Sequence, residues 1–486
     1  MRVLLVRPPA TFVRGSLAEA FEIPLGLMYL ATACERAGHD VEIYDPAVDY
    51  DLGRMNAAGR QSVHVGASWE DVRTRIASKP CDVIGISNPF YTQYPNALEA
   101  ARIARDVQPD ARIIMGGPHP TVEPAMVLGD APAVDVVVRG EAEQPLVELL
   151  RAFESDLPLD EVKGIAFRRD GEVILTERRP YVTDLDALGR PAYHLIDLER
   201  YAHRLRLTPE RRWILKPHRV ITMLTSRGCP YECVFCSVHL HMGRQYRTHT
   251  AGFVVEHVRY VVEELGIGRI YFVDDNLGQD RKRFEAILDG LIELNAEGLG
   301  VTWETPNGIR TDRLTFDILK KAKRAGCRSI MLTVESGSQR VLDEVIRKRL
   351  DLDKVVEVAG WCKELGIKAR SGFIAGLPGE TLAEMERTVR FAHMLRRRFG
   401  VNGHLSTATP YYGTRLYEVC REGNYLQGEM TPARLAVAIQ GQGVIATEDF
   451  SVSDVEAIRR KFERRGPLRT LGKRIERAVK RAVRRK

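Results

Sequence analysis

Apolar residues occur along this chain in two patterns, short unbroken runs and longer stretches at helical spacing, and the two patterns alternate in two separate series. In residues 1–145 the runs RVLLV (2–6), DVEIYD (40–45), CDVIGIS (81–87), ARIIMGG (111–117) and VDVVVRGE (134–141) read as buried parallel strands. Between them, PLGLMYLATACERAG (24–38) and YPNALEAARIARDV (94–107) carry apolar residues at helical spacing. This alternation predicts an α/β fold with a doubly wound, Rossmann-like sheet. Ligands of such sheets sit beyond the carboxyl ends of the strands. The segments SNPFYTQ (87–93), GGPHPT (116–121) and RGEAEQ (139–144) end three of the strands and are the expected cofactor edge.

Residues 146–218 are less regular and read as a linker, with a hairpin at 164–179 turning on Asp170-Gly171. A second series starts near Val220. Its strand candidates are VITMLTS (220–226), RIYFVDD (269–275), VTWETPNG (301–308), SIMLTVES (329–336), KARSGFIAG (368–376) and NGHLSTATP (402–410), with helical segments such as 281–298 between them. Six such units predict a partial (β/α)6 barrel over 219–440, with its functional groups at the carboxyl ends of the strands. Residues 441–486 read as a C-terminal helical segment with a basic amphipathic end.

The chain has 486 residues, too many for one ordinary core. With 44% hydrophobic and 28% charged residues it is globular in composition, and no apolar run is long enough to span a bilayer. The N-terminus MRVLLVRPPATF is too short in its apolar part for a secretory signal. Of the eight cysteines, Cys34, Cys81, Cys327, Cys362 and Cys420 are scattered singly, the last three placed in helices or at helix ends as small core residues. No disulfide framework is suggested, and a reducing cytoplasm is the expected location. The net charge of +7 is concentrated at one end. Residues 467–486 hold nine Lys/Arg and one Glu, so the remainder of the chain is close to neutral at −1.

The other three cysteines lie together in TSRGCPYECVFCSVHLHMGRQYR (225–247), directly after the first strand of the second series. Cys229, Cys233 and Cys236 suit a Cys3His zinc site completed by His239 or His241. They suit equally a 4Fe–4S cluster held by three thiolates, whose fourth iron is open to a further ligand. Spacing alone does not separate the two.

The strand ends of the second series do. With the cysteine motif, including Phe235 before its last cysteine, VDDN (273–276), NGIR (307–310), TVESGSQRVLDEVIRK (333–348) and GFIAGLPGET (372–381) resemble the radical S-adenosylmethionine (SAM) enzymes over nearly the whole chain. The resemblance implies a 4Fe–4S cluster on the three cysteines and SAM chelated to its open iron, with reductive cleavage to a 5′-deoxyadenosyl radical. It implies Asp274, Asp275 and Asn276 near the methionine amino group. Asn307, Arg310, Glu335, Ser336 and Lys348 would lie near the carboxylate and ribose, and Gly376 against adenine. Read without that context, Asp274–Asn276 is a strand end capping a helix, and GLPGE is a turn.

The first series resembles the cobalamin-binding module that precedes the barrel in a large class of these enzymes, through residues 23–45, GGPHPT and VVVRGEAE (136–143). The resemblance places cobalamin on Ser87, Asn88, Tyr91, Gly116, Gly117, His119, Gly140 and Glu141. No Asp-x-His-x-x-Gly is present, so the implied cobalamin is base-off without a histidine ligand. Transfer-RNA methylthiotransferases also carry an N-terminal α/β domain, but they need three further cluster cysteines there, and only Cys34 and Cys81 are present.

The implied activity is C-methylation of a small or medium-sized metabolite, with non-methylating cyclisation, rearrangement or dehydration as the enzymatic alternative and a cofactor-binding sensor as the non-catalytic one. Tyr411 and Tyr412 at the barrel mouth are candidate substrate contacts, and an external flavodoxin- or ferredoxin-type electron donor is expected. The basic end reads first as a solvated or docked helix, second as a peripheral membrane contact. Nucleic acid ranks last, because the body carries no matching basic surface or RNA module.

Overall fold

The computed structural model describes residues 1–13, 22–48, 62–207, 219–439 and 442–463. The basic segment 467–486, with its membrane-contact reading, lies outside the described residues.

In the N-terminal half the strands are β1 (Arg2–Val6), β2 (Ala10–Val13), β3 (Asp40–Tyr44), β4 (Ser62–Val65), β5 (Val83–Ser87), β6 (Arg112–Gly116) and β7 (Val136–Val138). They are followed by β8 (Ile165–Arg169) and β9 (Glu172–Leu175). Seven of them form one sheet in the order β3-β1-β5-β6-β7-β8-β9, while β2 and β4 form a separate antiparallel pair. The first five strands of the large sheet are parallel, and the last two continue it antiparallel. The expected hairpin therefore exists, with Asp170 and Gly171 both at positive φ in its turn. It closes the edge of the first sheet instead of standing in a linker, and the α/β layer runs past residue 145 to Leu175.

Helices Leu25–Arg36 and Glu143–Ser155 cover one face, and Trp69–Ala77 and Tyr94–Val107 the other. This two-sided burial is why the strands are unbroken runs of Val, Ile and Leu.

The second series gives β10 (Ile221–Met223), β11 (Ser226–Arg227), β12 (Arg247–Thr248), β13 (Arg269–Phe272), β14 (Thr302–Ile309), β15 (Cys327–Glu335), β16 (Lys368–Ala375) and β17 (Asn402–Thr407). Six of these form an all-parallel sheet in sequence order, β10-β13-β14-β15-β16-β17, which is the half-barrel. The short β11–β12 ribbon ties the two ends of the cysteine loop together. Cys327 begins a buried strand rather than ending a helix, whereas Cys362 and Cys420 lie in helices Leu352–Glu364 and Arg415–Glu422; all three are buried.

Between strands and helices of the half-barrel, Trp303 is the largest fully buried side chain. Its indole N–H donates to the Ala325 carbonyl at 3.0 Å, and Phe272 and Phe284 meet it edge-on. The barrel core is continuous with Ile23, Met28, Val48 and Tyr193, so the two sheets share apolar contacts. Replacing Trp303 by Ala is expected to cost about 3–5 kcal/mol, seen as an earlier urea midpoint for the loss of barrel tryptophan and helix signals.

Candidate active site

The cysteine loop leaves β11 at Gly228, whose φ is +81° and whose missing side chain is a requirement. A Cβ there would lie 2.3 Å from the Gln245 carbonyl oxygen. The loop thus doubles back against its own return strand, and its three thiols face the barrel mouth from one short segment. The Cys236 N–H bonds the Cys233 carbonyl, and the Val234 N–H bonds Ile346 beyond β15. Phe235 packs on the barrel core. Burial raises all three thiols, Cys236 to about 12, while Lys348 and Arg310 pull Cys229 and Cys233 the other way.

Among the described residues no three His, Cys, Asp or Glu side chains gather around a single-ion position. The three thiols are close enough to feel one another's charge. His241 is neutral, held at about 4 by burial, and its Nδ1 is buried without a partner among the described residues.

Strand parity sorts the candidates at the strand ends. In β13 Ile270 and Phe272 are buried toward the helices, and Asp274 follows them inward. Expected near the mouth, it accepts hydrogen bonds through Oδ1 from the Thr225 N–H and hydroxyl and from the Ser226 hydroxyl, while Oδ2 is buried with no partner among the described residues. Through Oδ1 it braces the start of the cysteine loop. Asp275, on the opposite parity, is open to solvent in a concave place. Its carboxyl is raised to about 6, first by desolvation and then by the Asp274 charge. Asn276 is buried, bonded to Gln279 through Nδ2, with Oδ1 unpartnered. Asn307 is exposed and donates to the Val273 carbonyl.

At β15 the same alternation puts Glu335 at the mouth and Ser336 inside, where its hydroxyl pairs with Thr388. Ser336 therefore braces the helix Leu382–Phe399 and is turned from the mouth. Glu335 has φ +73°, and Arg347 and Arg349 are also at positive φ, flanking Lys348. Such conformations are costly for non-glycine residues and persist only where the surroundings impose them. Here they bring Lys348 Nζ to 2.8 Å from the Glu335 carboxylate. Arg310 is also occupied. It chelates Asp312, donates to the Lys348 carbonyl and lies 3.7 Å over the Tyr231 ring, a cysteine-loop residue that sequence reasoning missed. Gly376 has φ +86°, and the side chain it lacks would press on Val455 of the C-terminal helix. Its N–H and that of Leu377 are held by buried Glu380, another residue missed from sequence.

On the first sheet, Ser87 ends β5, and the Asn88 N–H bonds the Gly116 carbonyl of β6. Gly117, at φ +122°, comes so close that a Cβ would lie 2.5 Å from the Asn88 carbonyl oxygen. Asn88 is fully buried with both amide atoms unpartnered among the described residues, and buried His119 likewise has an unpartnered Nε2 and is neutral, at about 4 by burial. Orphaned buried polar groups are expensive in a finished interior and call for a partner such as water or a ligand. Tyr91 stands 4.5 Å from the His119 ring and 4.9 Å from Tyr412, so the strand ends of the first sheet meet the barrel mouth in one aromatic wall. Tyr412 donates to the Met430 carbonyl, and Tyr411 starts the turn that leads into the following helix.

Glu141, also expected around cobalamin, is engaged within the protein. Its carboxylate binds Arg247 at 2.7 Å, Arg227 at 3.0 Å and the Val182 N–H at 2.9 Å, leaving no capacity for a ligand. Glu143 takes the other arm of Arg227 at 2.6 Å. Burial alone would depress the Arg227 guanidinium, but Glu143 and Glu141 outweigh it and raise it. These four buried side chains join the carboxyl edge of the first sheet to both stems of the cysteine loop. Gly140 lies beside the network, its N–H donated to the Thr121 hydroxyl.

Three thiols at the mouth of a parallel half-barrel, beside a Glu–Lys pair on strained backbone, define the radical SAM class. Residues 223–392 match the Radical SAM superfamily model, and residues 14–150 match the B12 binding domain. An uncharacterized methyltransferase of Pyrococcus horikoshii is 31% identical over 88% of this chain and 84% of its own. The cytidylyl-2-hydroxyethylphosphonate methyltransferase of Streptomyces wedmorensis is 28% identical over 91% of this chain and 85% of its own. The anaerobic magnesium-protoporphyrin IX monomethyl ester cyclase of Cereibacter sphaeroides is 29% identical over 81% of this chain and 60% of its own. The solved radical SAM methyltransferase TsrM of Kitasatospora setae, with cobalamin and cluster bound, superposes with a TM-score of 0.69 at 16% identity, over 88% of this chain and 76% of its own. The chain belongs to the cobalamin-dependent radical SAM family, which includes methyltransferases, and its cofactors are a 4Fe–4S cluster, SAM and cobalamin. Among the described residues no helix is long and apolar enough to cross a membrane.

Removing one charge from the four-residue network leaves buried guanidinium unpaired. Glu141→Gln is expected to cost about 3–5 kcal/mol, with a lower Tm and a matching loss of iron retained after anaerobic reconstitution. A variant as stable as wild type would show the network to be dispensable.

Glu380 gives a pH test. Burial lifts its carboxyl to about 8 against the two N–H groups it accepts. Because the folded value lies above the unfolded one, near 4.3, its contribution to stability is full in acid and is lost as pH rises toward 8. Glu380→Gln, neutral at every pH, is therefore expected to gain in Tm on the wild type between about pH 5 and pH 8. Parallel pH profiles would mean that Glu380 is ionised throughout.

Proposed function

We propose that the protein is a C-methyltransferase acting on a small or medium-sized metabolite. The observation that supports this reading most strongly is the match to methyltransferases over 84% and 85% of their own lengths, spanning both domains. The cyclases, at 60–65% of theirs, share the frame but less of the whole. When bound, the cofactors supply a 5′-deoxyadenosyl radical for hydrogen abstraction and a methyl group for transfer.

The chain's own residues would divide the work as follows. Cys229, Cys233 and Cys236 hold the cluster, and the Lys348 ammonium, beside Glu335, neutralises negative charge near it. Asp275 and the free Oδ1 of Asn276 accept hydrogen bonds from an ammonium group, and Glu335 from ribose hydroxyls. Asn88 and His119 would present unsatisfied polar atoms to the cobalamin periphery, and with no Asp-x-His-x-x-Gly in the chain the cofactor would be held without a histidine ligand of that motif. Tyr91, Tyr411 and Tyr412 line the route between the two halves and limit water there. Electrons come from an external flavodoxin- or ferredoxin-type donor.

The test uses anaerobically reconstituted protein containing cobalamin, reductant and SAM. Wild type is expected to form both S-adenosylhomocysteine and 5′-deoxyadenosine. Cys233→Ala is expected to lose the 5′-deoxyadenosine while retaining cobalamin. Deoxyadenosine without any S-adenosylhomocysteine would overturn methylation in favour of cyclisation-type chemistry. Neither product from wild type would overturn the enzymatic reading itself.

A further inference from the structure

Beside the four-residue network, and outside the cysteine mouth, a cavity of about 260 Å³ opens between the first sheet and the cysteine-loop helix. It is roughly an order of magnitude larger than the ~30 Å³ share of one water. Its walls include Arg139 and Gly140 from the end of β7, Thr121 from the GGPHPT segment, Arg178 and Tyr181 from the chain after β9, and Leu240 from the cysteine-loop helix.

The charges around it do not cancel. Arg179 is taken by Glu148 at 2.5 Å, and Glu141 by Arg227 and Arg247. Arg139 has no carboxylate partner among the described residues; its guanidinium makes a single 3.3 Å contact there, to the Thr176 carbonyl, and its Nε is buried and unpartnered. Arg178 makes no hydrogen bond or ion pair among the described residues and is near enough to repel it. Burial first, and then Arg178, push the Arg139 guanidinium below its ordinary value. A part-buried guanidinium without a counter-charge, repelled by a second one at the rim of the same cavity, is a place where an anion would be stabilised.

We propose that this cavity binds a phosphate-type anion between Arg139 and Arg178, with Tyr181 and Leu240 against the organic part that carries it. Guanidinium forks match phosphate oxygens in pairs. Two sources share this chemistry, a phosphate or phosphonate ester of the substrate and the phosphodiester in the nucleotide arm of cobalamin. The proposal does not depend on which reaction the enzyme performs.

The experiment measures binding of inorganic phosphate to the full, cofactor-loaded chain by calorimetry at constant ionic strength. In parallel it compares cobalamin with cobinamide, which lacks the nucleotide arm, on the cobalamin-free chain. Saturable phosphate binding that Arg139→Met weakens at least tenfold, and Arg178→Met severalfold, supports the substrate source. No phosphate binding, but a preference for cobalamin over cobinamide that collapses in both variants, supports the cobalamin source. Neither phosphate binding nor a variant-sensitive cobalamin preference overturns the proposal. Arg178 is exposed, so Arg178→Met keeps the test valid if Arg139→Met folds poorly.

Discussion

The structure turns on two buried arginines. Arg227 and Arg247 are the stems of the cysteine loop, and both are neutralised by acids from the end of the first sheet. Neither half of the molecule can bury these groups alone. Charges taken from water need close, hydrogen-bonded partners, and here the partners belong to the other domain. The position of the cluster-bearing loop and that of the cobalamin domain are consequently one structural fact. Asp274 extends the same logic inward, fixing the loop's first residues from below.

Much of this frame is legible in the sequence because parallel strands covered on both faces read as plain apolar runs. All six barrel strands fall where those runs lie. What escaped is non-local. Nothing in Ile165–Leu175 says that its hairpin will find the edge at β7, and nothing in Ala10–Val13 says that it will pair with Ser62–Val65. Both are pairings across long sequence separations. For the site, residue identity was readable but direction was not used. Counting by twos from buried Phe272 separates inward Asp274 from mouth-facing Asp275, and the same count from buried Val334 separates Ser336 from Glu335. That signal was present in the sequence. The saturation of Glu141 was not, because its partners lie 86 and 106 residues away.

The Glu335–Lys348 pair shows how local cost is carried by global packing. Three left-handed residues surround it, each tolerated because the neighbouring backbone is already fixed: Val234 bonds Ile346, and Arg310 bonds the Lys348 carbonyl. Lys348 is thereby delivered, with its counter-ion, to within electrostatic reach of two of the thiols. A flexible lysine on an unconstrained loop would not hold that place.

The aromatic wall is built on a different principle. Tyr91, His119, Tyr412 and Tyr417 meet through ring contacts at 4.5–4.9 Å, without an ion pair binding one to another. Ring packing tolerates changes of size and shape far better than a buried charge network tolerates a missing partner. The molecule is thus divided by evolvability. One side of the mouth is a charge network that punishes a missing partner, and the other is an aromatic packing in which side chains can be exchanged at lower cost.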